Sequence, residues 1–346
     1  MSHLRVVPGG APRAAGPKAG SASSVRVEAP GKVNLFLSCG APGADGYHPL
    51  TTVFQAVRLI ETVTARRQAA DARGAVTLTL AEPDDAVPTD ERNLAVRAAR
   101  LLARETGVEE GVDLLVRKRV PVAGGMAGGS ADAAATLLAC NQLWGTGLAL
   151  GELMELATQL GADCAFPLIG SAAVGHGRGD QLSPLMTRGT YHWVFATARQ
   201  GLSTPEVFTR LDQIRAQHEA AEAQPTQAPD AVGAPAGQAE PAAPEPVPEE
   251  LTAALRSGDA RALAATMHND LQAAALDLRP ELAEVIEVAE AAGALRAIVS
   301  GSGPTIAALV ADTGAAMRVS RALSACELVA DTVRADAPVA GARAVG

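Results

Sequence analysis

Four glycines fall within six residues in the run Gly124-Gly125-Met126-Ala127-Gly128-Gly129, immediately before Ser130. Glycine tolerates positive φ, so successive backbone N–H groups in such a run can converge on one anion. Residues 112–120 alternate and read as a strand ending at Pro121, and the Ala/Leu-rich stretch 130–144 reads as a helix. Strand, glycine turn and helix in that order also aim the helix's positive N-terminal end at the anion. The expected chemistry is phosphate binding, and the bland alternative is a plain flexible loop. No Gly-Lys-Ser/Thr closes the loop, which excludes a Walker A site. No acidic residue ends a following strand at the distance a dinucleotide fold requires.

Lysine is scarce: only Lys18, Lys32 and Lys118 occur, so 26 of the 29 basic residues are arginine. Where arginine serves as the general cation, a lysine inside a motif points to a need for a compact ammonium. Lys118, in an alternating strand, shows how weak that inference is alone. Asp163 sits in Leu160-Gly161-Ala162-Asp163-Cys164-Ala165-Phe166, a carboxylate among small and apolar residues. Taken singly, Lys32 could be a solvated strand lysine and Asp163 a surface aspartate at a helix end.

The elements that must position these groups follow from periodicity. Residues 25–29, 33–38, 51–57 and 76–80 read as strands. Asp90 and Asn93 are both N-cap candidates for a helix reaching about residue 106, with Leu94, Ala98, Leu101 and Leu102 on one stripe. A second helix is expected over 152–160, and short strands over 172–174 and 193–196. Residues 216–249 turn to Ala, Gln, Pro and Glu with few large apolar side chains, which predicts a disordered insertion. Helices then follow near 251–256, 260–268, 280–292 and 314–325, with strands at 297–300 and 306–310. Strands followed by segregated helices predict an α+β fold.

The 346 residues are enough for two domains. The expected division is a disordered segment 1–23, a first domain 24–197 and a second domain 198–340. A net charge of −9 and the lack of a long basic run argue against nucleic-acid or membrane-surface partners. Cys39, Cys140, Cys164 and Cys326 form no C-x-x-C pair, so reduced thiols in a cytoplasmic protein are expected. No apolar run reaches the roughly 20 residues of a membrane span, and the N-terminus lacks a signal-peptide core.

Three motifs occur in an order that resembles the galactokinase, homoserine kinase, mevalonate kinase and phosphomevalonate kinase (GHMP) superfamily. Pro30-Gly31-Lys32-Val33-Asn34-Leu35 is similar to the first. Pro121-Val122-Ala123-Gly124-Gly125-Met126-Ala127-Gly128-Gly129-Ser130-Ala131 is similar to the second, and Gly301-Ser302-Gly303 lies in the third. The resemblance implies a small-molecule kinase with a first domain like the second domain of ribosomal protein S5 and a ferredoxin-like second domain. It also implies that residues 121–131 wrap the ATP phosphates, that Asp163 is the catalytic base, and that Lys32 stands near the reacting hydroxyl. Asn34 and the residues 301–303 would touch the substrate. Mg²⁺ would arrive on ATP, with Ser130 as its candidate ligand.

Two further segments resemble one branch of that family, which phosphorylates a cytidyl diphosphate polyol on the way to isoprenoid precursors. They are Ala44-Asp45-Gly46-Tyr47-His48-Pro49-Leu50 and Gly201-Leu202-Ser203-Thr204-Pro205-Glu206-Val207-Phe208. In that branch Tyr47 and Phe208 would sandwich the cytosine, with His48 and Thr204 adding hydrogen bonds. A monomer or homodimer with small-molecule partners is implied. Homoserine- or mevalonate-type kinases, and a silent nucleotide-binding sensor, are the open alternatives.

Overall fold

The computed structural model describes residues 22–69, 72–122, 124–222 and 242–346. The expectations for residues 1–21 and 223–241 lie outside them. The strands are β1 (Ser24–Cys39), β2 (Leu50–Arg67), β3 (Val76–Leu80), β4 (Val112–Arg117), β5 (Ala172–His176), β6 (Gln181–Leu185), β7 (Tyr191–Ala198), β8 (His268–Asn269), β9 (Arg296–Val299), β10 (Ile306–Val310), β11 (Val329–Ala337) and β12 (Arg343–Val345). The helices are α1 (Leu94–Thr106), α2 (Gly128–Trp144), α3 (Leu150–Leu160), α4 (Phe166–Ile169), α5 (Thr204–Glu222), α6 (Glu249–Ser257), α7 (Ala260–Thr266), α8 (Leu271–Leu278), α9 (Glu281–Ala291) and α10 (Thr313–Ser324).

The first sheet runs β12-β1-β2-β4-β3. The β5–β6 hairpin pairs on β2, and β8 lies parallel to β1. One strand replaces the two expected over residues 25–38, with register shifts at Pro30/Gly31 and Asn34/Phe36. Those bulges accommodate Pro30, which donates no ladder bond, and bend the strand where Lys32 sits. Helix α2 is buried on nearly all sides, with Ala131, Ala133, Ala134, Ala135 and Ala139 fully enclosed. Small side chains let α1, β1 and β2 approach it closely.

The second sheet is antiparallel with order β11-β7-β10-β9, the ferredoxin-like arrangement of a β-α-β-β-α-β unit. One face packs on α5, α8, α9 and α10 through Val194, Val207, Leu211, Val285 and Val319. The other face joins the first sheet through Trp193, Phe195 and Leu309 against Val33, Leu35 and Val57. The two sheets therefore share a core.

Three expectations need correction. Strand β7 belongs to the second sheet, so the change of sheet falls between β6 and β7 and not after residue 197. Strands β8 and β12 also return to the first sheet, which a boundary drawn along the sequence cannot represent. The insertion is narrower than 216–249, because residues 216–222 continue α5. Val207 and Leu211 are buried and anchor that helix, and its Ala/Gln/Glu end is helix-forming. Residues 242–248 run against β1, where Ala41 N–H donates to Ala242 O at 2.8 Å and Glu245 N–H to Ser38 Oγ at 2.9 Å. At the other end, Arg67 N–H donates to Ser23 O at 3.0 Å, so residues 22–23 already follow the sheet.

Asp270 ties the two halves together. Its Oδ2 accepts from Cys39 N–H at 2.8 Å, Ser38 Oγ at 3.1 Å and Arg215 at 3.2 Å, and its Oδ1 lies 2.6 Å from His268 Nε2. Burial pushes the carboxyl up, but the bonds from His268, Cys39 and Ser38 outweigh it and hold it below the usual carboxylate range. The bond to Asp270 raises His268 above its ordinary value. A depressed carboxyl stabilises above its unfolded pKa, and a raised histidine stabilises below its own. Both therefore contribute fully between about pH 4 and 6.5. Asp270→Ala should cost about 1–3 kcal/mol at pH 5. Denaturant unfolding at pH 5 and pH 3 should show the parent–variant gap shrinking in acid; an equal gap would contradict the latch.

Candidate active site

Strand β1 carries Lys32 into the interior, 3% exposed. Its ammonium donates to Asn34 Oδ1 at 2.7 Å and Gly125 O at 2.8 Å, and lies 3.5 Å from Asp163 Oδ2. Three acceptors for three ammonium protons offset the cost of burying the charge. Asn34 is fixed by donating to Thr52 Oγ1 at 2.8 Å, which donates to Phe36 O at 2.8 Å. Asp163 stands in the short turn Ala162–Cys164 after α3, with its side chain 37% exposed. Behind it, Cys164 is buried, and burial pushes its thiol up to about 11.

The glycine run is shaped by close approach. Gly125 has φ +68°, and a Cβ there would come 2.1 Å from Ser300 O. The loop thus packs directly on residues 300–303. Gly301 faces the lysine, since a Cβ on it would lie 3.4 Å from Lys32 Nζ. Asn269 holds that second loop by donating to Val299 O and Gly301 O, each at 2.8 Å. Ala127 adopts φ 59°, ψ 34° at the N-cap of α2 and offers no side-chain acceptor. A left-handed alanine costs about 1–2 kcal/mol. The helical ladder begins with Ala131 N–H to Ala127 O at 2.9 Å, so no side chain caps the amides before it. They face a cleft of 520 Å³ between Pro88, Asn93 and Leu94 on one wall and the glycine loop on the other.

Beneath this cleft, Lys118 Nζ lies 2.7 Å from Glu61 Oε1 and 2.5 Å from Asp132 Oδ2. Glu61 also accepts from Arg119 N–H at 2.9 Å and Val120 N–H at 3.2 Å, which pins the strand end before the loop. One ammonium serves two buried carboxylates, and Asp132 Oδ1 has no hydrogen-bond partner among the described residues. Burial opposes the Lys118 charge, but Asp132 and Glu61 outweigh it and raise its pKa. Burial also pushes Asp132 up to about 7; Lys118 opposes the shift and Glu61 adds to it.

A second cleft, of 630 Å³, is lined by Tyr47, His48, Gly161, Ala162, Arg178, Thr204, Phe208 and Asp212 among others. His48 is buried, and its Nε2 lies 2.8 Å from Asp212 Oδ1. Its ring meets Phe208 at 4.9 Å between centroids, tilted 31°. Tyr47 is 58% exposed. Thr204 borders both clefts and its Oγ1 is 2.8 Å from Ser302 Oγ. Lys32 and Asp163 connect the two, through Gly125 on one side and the turn beside Ala162 on the other.

Most of the expected residues thus converge. Ala123 lies outside the described residues, and Ala131 is turned into the α1–α2 core instead of the cleft. Gly303, at φ +82°, shapes its turn. Sequence reasoning named Asn93 as an N-cap, which it is for α1, and named Lys118 without a role; it missed Pro88, Asp132, Arg178, Asp212 and Asn269. The scarcity of lysine was a usable signal for Lys118.

Comparison with known proteins gives matches to the GHMP kinases N terminal domain over residues 93–171 and to GHMP kinases C terminal over 251–327. A 4-diphosphocytidyl-2-C-methyl-D-erythritol kinase of Thermobifida fusca is 49% identical over 93% of this chain and 99% of its own length. One of Leifsonia xyli is 50% identical over 92% and 98%. A crystal structure of 4-(cytidine 5'-diphospho)-2C-methyl-D-erythritol kinase superposes with a TM-score of 0.68 at 30% identity, covering 91% of this chain and 99% of that one. A homoserine kinase from Cytophaga hutchinsonii, 20% identical, shares the fold with a TM-score of 0.66 over 94% and 98%.

The raised Asp132 has a sign that can be tested. A carboxyl held up in the folded state stabilises fully below its unfolded pKa, and that contribution is lost as pH rises toward about 7. Asp132→Asn should therefore reduce the loss of unfolding free energy between pH 5 and pH 8 measured in urea. An unchanged slope would assign the proton to Glu61.

Proposed function

The chain belongs to the 4-diphosphocytidyl-2-C-methyl-D-erythritol kinases of the GHMP superfamily, and on that premise we propose how its residues transfer the ATP γ-phosphoryl group to the substrate's 2-hydroxyl. The reaction serves the non-mevalonate route to isoprenoid precursors. The observation that carries the reading is the Lys32–Asp163 pair, 3.5 Å apart, set between a backbone-lined cleft and an aromatic-lined one.

The N–H groups of the glycine loop and the start of α2 receive the ATP phosphates, helped by the helix's positive end. Mg²⁺ on ATP would neutralise phosphate charge. The hydroxyl of Ser130, on the first turn of α2 at the cleft wall, fits a cation that needs few protein ligands. Asp163 accepts the proton of the attacking hydroxyl as its oxygen bonds to the γ-phosphorus. The bond from that phosphorus to the β–γ bridging oxygen breaks, and ADP leaves. Lys32 stabilises the negative oxygen, and its bonds to Asn34 and Gly125 fix its place. Such a loose transition state depends mainly on positioning and charge. On the acceptor side Tyr47 and Phe208 clamp the cytosine, with the His48 ring packed against Phe208.

Coupled ADP release with the cytidyl substrate, set against homoserine and mevalonate, tests the assignment; turnover of either of the latter in its place would overturn it. Asp163→Asn keeps the shape and removes the base, so kcat should fall by roughly 10²–10⁴-fold while ATP binding persists. Activity within a few fold of the parent would remove Asp163 from the role.

Tyr47→Ala and Phe208→Ala should each weaken the cytidyl substrate by about 1–3 kcal/mol, read as a raised KM, with the KM for ATP nearly unchanged. If both KM values rise together with a fall in Tm, the rings are packing residues and not a clamp.

A further inference from the structure

The acceptor cleft has a cation that the clamp does not use. Among the described residues lining it, Arg178 is the one lysine or arginine. It stands at the tip of the β5–β6 hairpin between Gly177, at φ +67°, and Gly179, at φ +93°. These are conformations that glycine adopts without strain. Gly175 lets the tip fold back, because a Cβ there would meet Gly179 O at 2.7 Å and Phe54 at 3.0 Å. Leu50 N–H donates to Gly177 O at 2.7 Å, which ties the tip to the segment carrying Tyr47 and His48. The guanidinium consequently lies over the Tyr47 ring, 5.3 Å from its centroid.

Its ionic partner is weak. Asp180 Oδ2 is 3.6 Å away, beyond a hydrogen bond, and the Arg178 side chain is 49% exposed. Asp180 Oδ1 instead accepts from the Arg178 backbone N–H at 3.1 Å, which holds the turn and leaves the fork of guanidinium donors to the cleft. The other charged group of this wall, Asp212, is engaged with His48. A ligand whose base lies on Tyr47 and whose hydroxyl reaches Asp163 must pass its intervening diphosphate between them. A planar guanidinium matches two phosphate oxygens at once.

We propose that Arg178 is the specificity residue that reads the diphosphate of the acceptor, stacking on Tyr47 while it donates to the phosphate oxygens. The inference rests on the cytidyl reading above. Calorimetry with cytidine, CMP and CDP on the full chain separates the two. The parent should bind CDP more tightly than cytidine. Arg178→Ala should weaken CDP by about 10- to 100-fold, and cytidine by no more than about threefold, so the CDP preference collapses. Arg178→Lys keeps the charge and should restore part of that preference. Equal losses for cytidine and CDP would reduce Arg178 to a prop for Tyr47 and overturn the proposal, as would a CDP preference that survives in Arg178→Ala. If the parent binds none of the three, the cytidyl reading itself fails and takes the proposal with it. A melting curve for each variant, expected to match the parent because the site is at a half-exposed hairpin tip, confirms that folded protein is compared.

Discussion

A single buried ammonium sets the geometry of this protein. Lys32 is 3% exposed, and an unpaired charge at that depth would cost several kcal/mol. Its acceptors come from three separated pieces of chain: Asn34 two residues along the strand, Gly125 in the phosphate loop, and Asp163 after α3. Satisfying the charge therefore fixes the loop's position on the sheet. Gly125 must then lie so close to Ser300 that no side chain fits, and Gly301 must leave its own side of the lysine clear. The strand, the glycine loop and the turn after α3 meet because one cation needs an oxygen from each.

The second ionic centre works differently. Glu61, Lys118 and Asp132 hold the strand end and the first turn of α2 from below. Two carboxylates share one ammonium, so the cluster keeps an excess of negative charge unless Asp132 takes up a proton. Beneath a cradle for phosphates, that protonation is favourable: a neutral Asp132 removes repulsion that a charged one would impose. Replacing such a cluster by apolar residues is often neutral for stability. Its evident contribution here is to fix the register of the strand end that launches the loop.

Much of this was legible in the sequence, for physical reasons. The glycine run and its flanking strand and helix are local patterns, which follow from backbone sterics and periodicity, whereas Lys32 and Asp163 stood out only through the family resemblance. Residues whose roles come from tertiary pairing were not legible. Asp212 in a helix and Arg178 in a turn look like solvated surface charges until His48 and Tyr47 are placed beside them. The left-handed conformation of Ala127 likewise arises in the folded chain and not from the residue's own preference. Helix α5 was hidden because Val207 and Leu211 are few among polar neighbours, and because burial depends on the second sheet, which forms from strands before and after it. The polar composition of 216–249 was likewise misleading at its edges: backbone bonds to β1 order residues 242–248 without apolar side chains.

The two clefts are made of different materials, and that difference bears on how the fold accommodates several substrates. The cleft proposed for the phosphates is built largely from main-chain N–H groups at the start of α2, with small side chains around them. Its shape depends on the glycine conformations more than on side-chain identity. The cleft proposed for the acceptor is built from four elements: the segment before β2, the end of α3 with its following turn, the β5–β6 tip and the first turns of α5. Only the turn after α3 also carries an acceptor of the lysine, Asp163; the other three elements hold none of them. On the proposed reading, substitutions at Tyr47, Arg178 or Phe208 would therefore alter which acceptor is taken while leaving the packing around Lys32 in place.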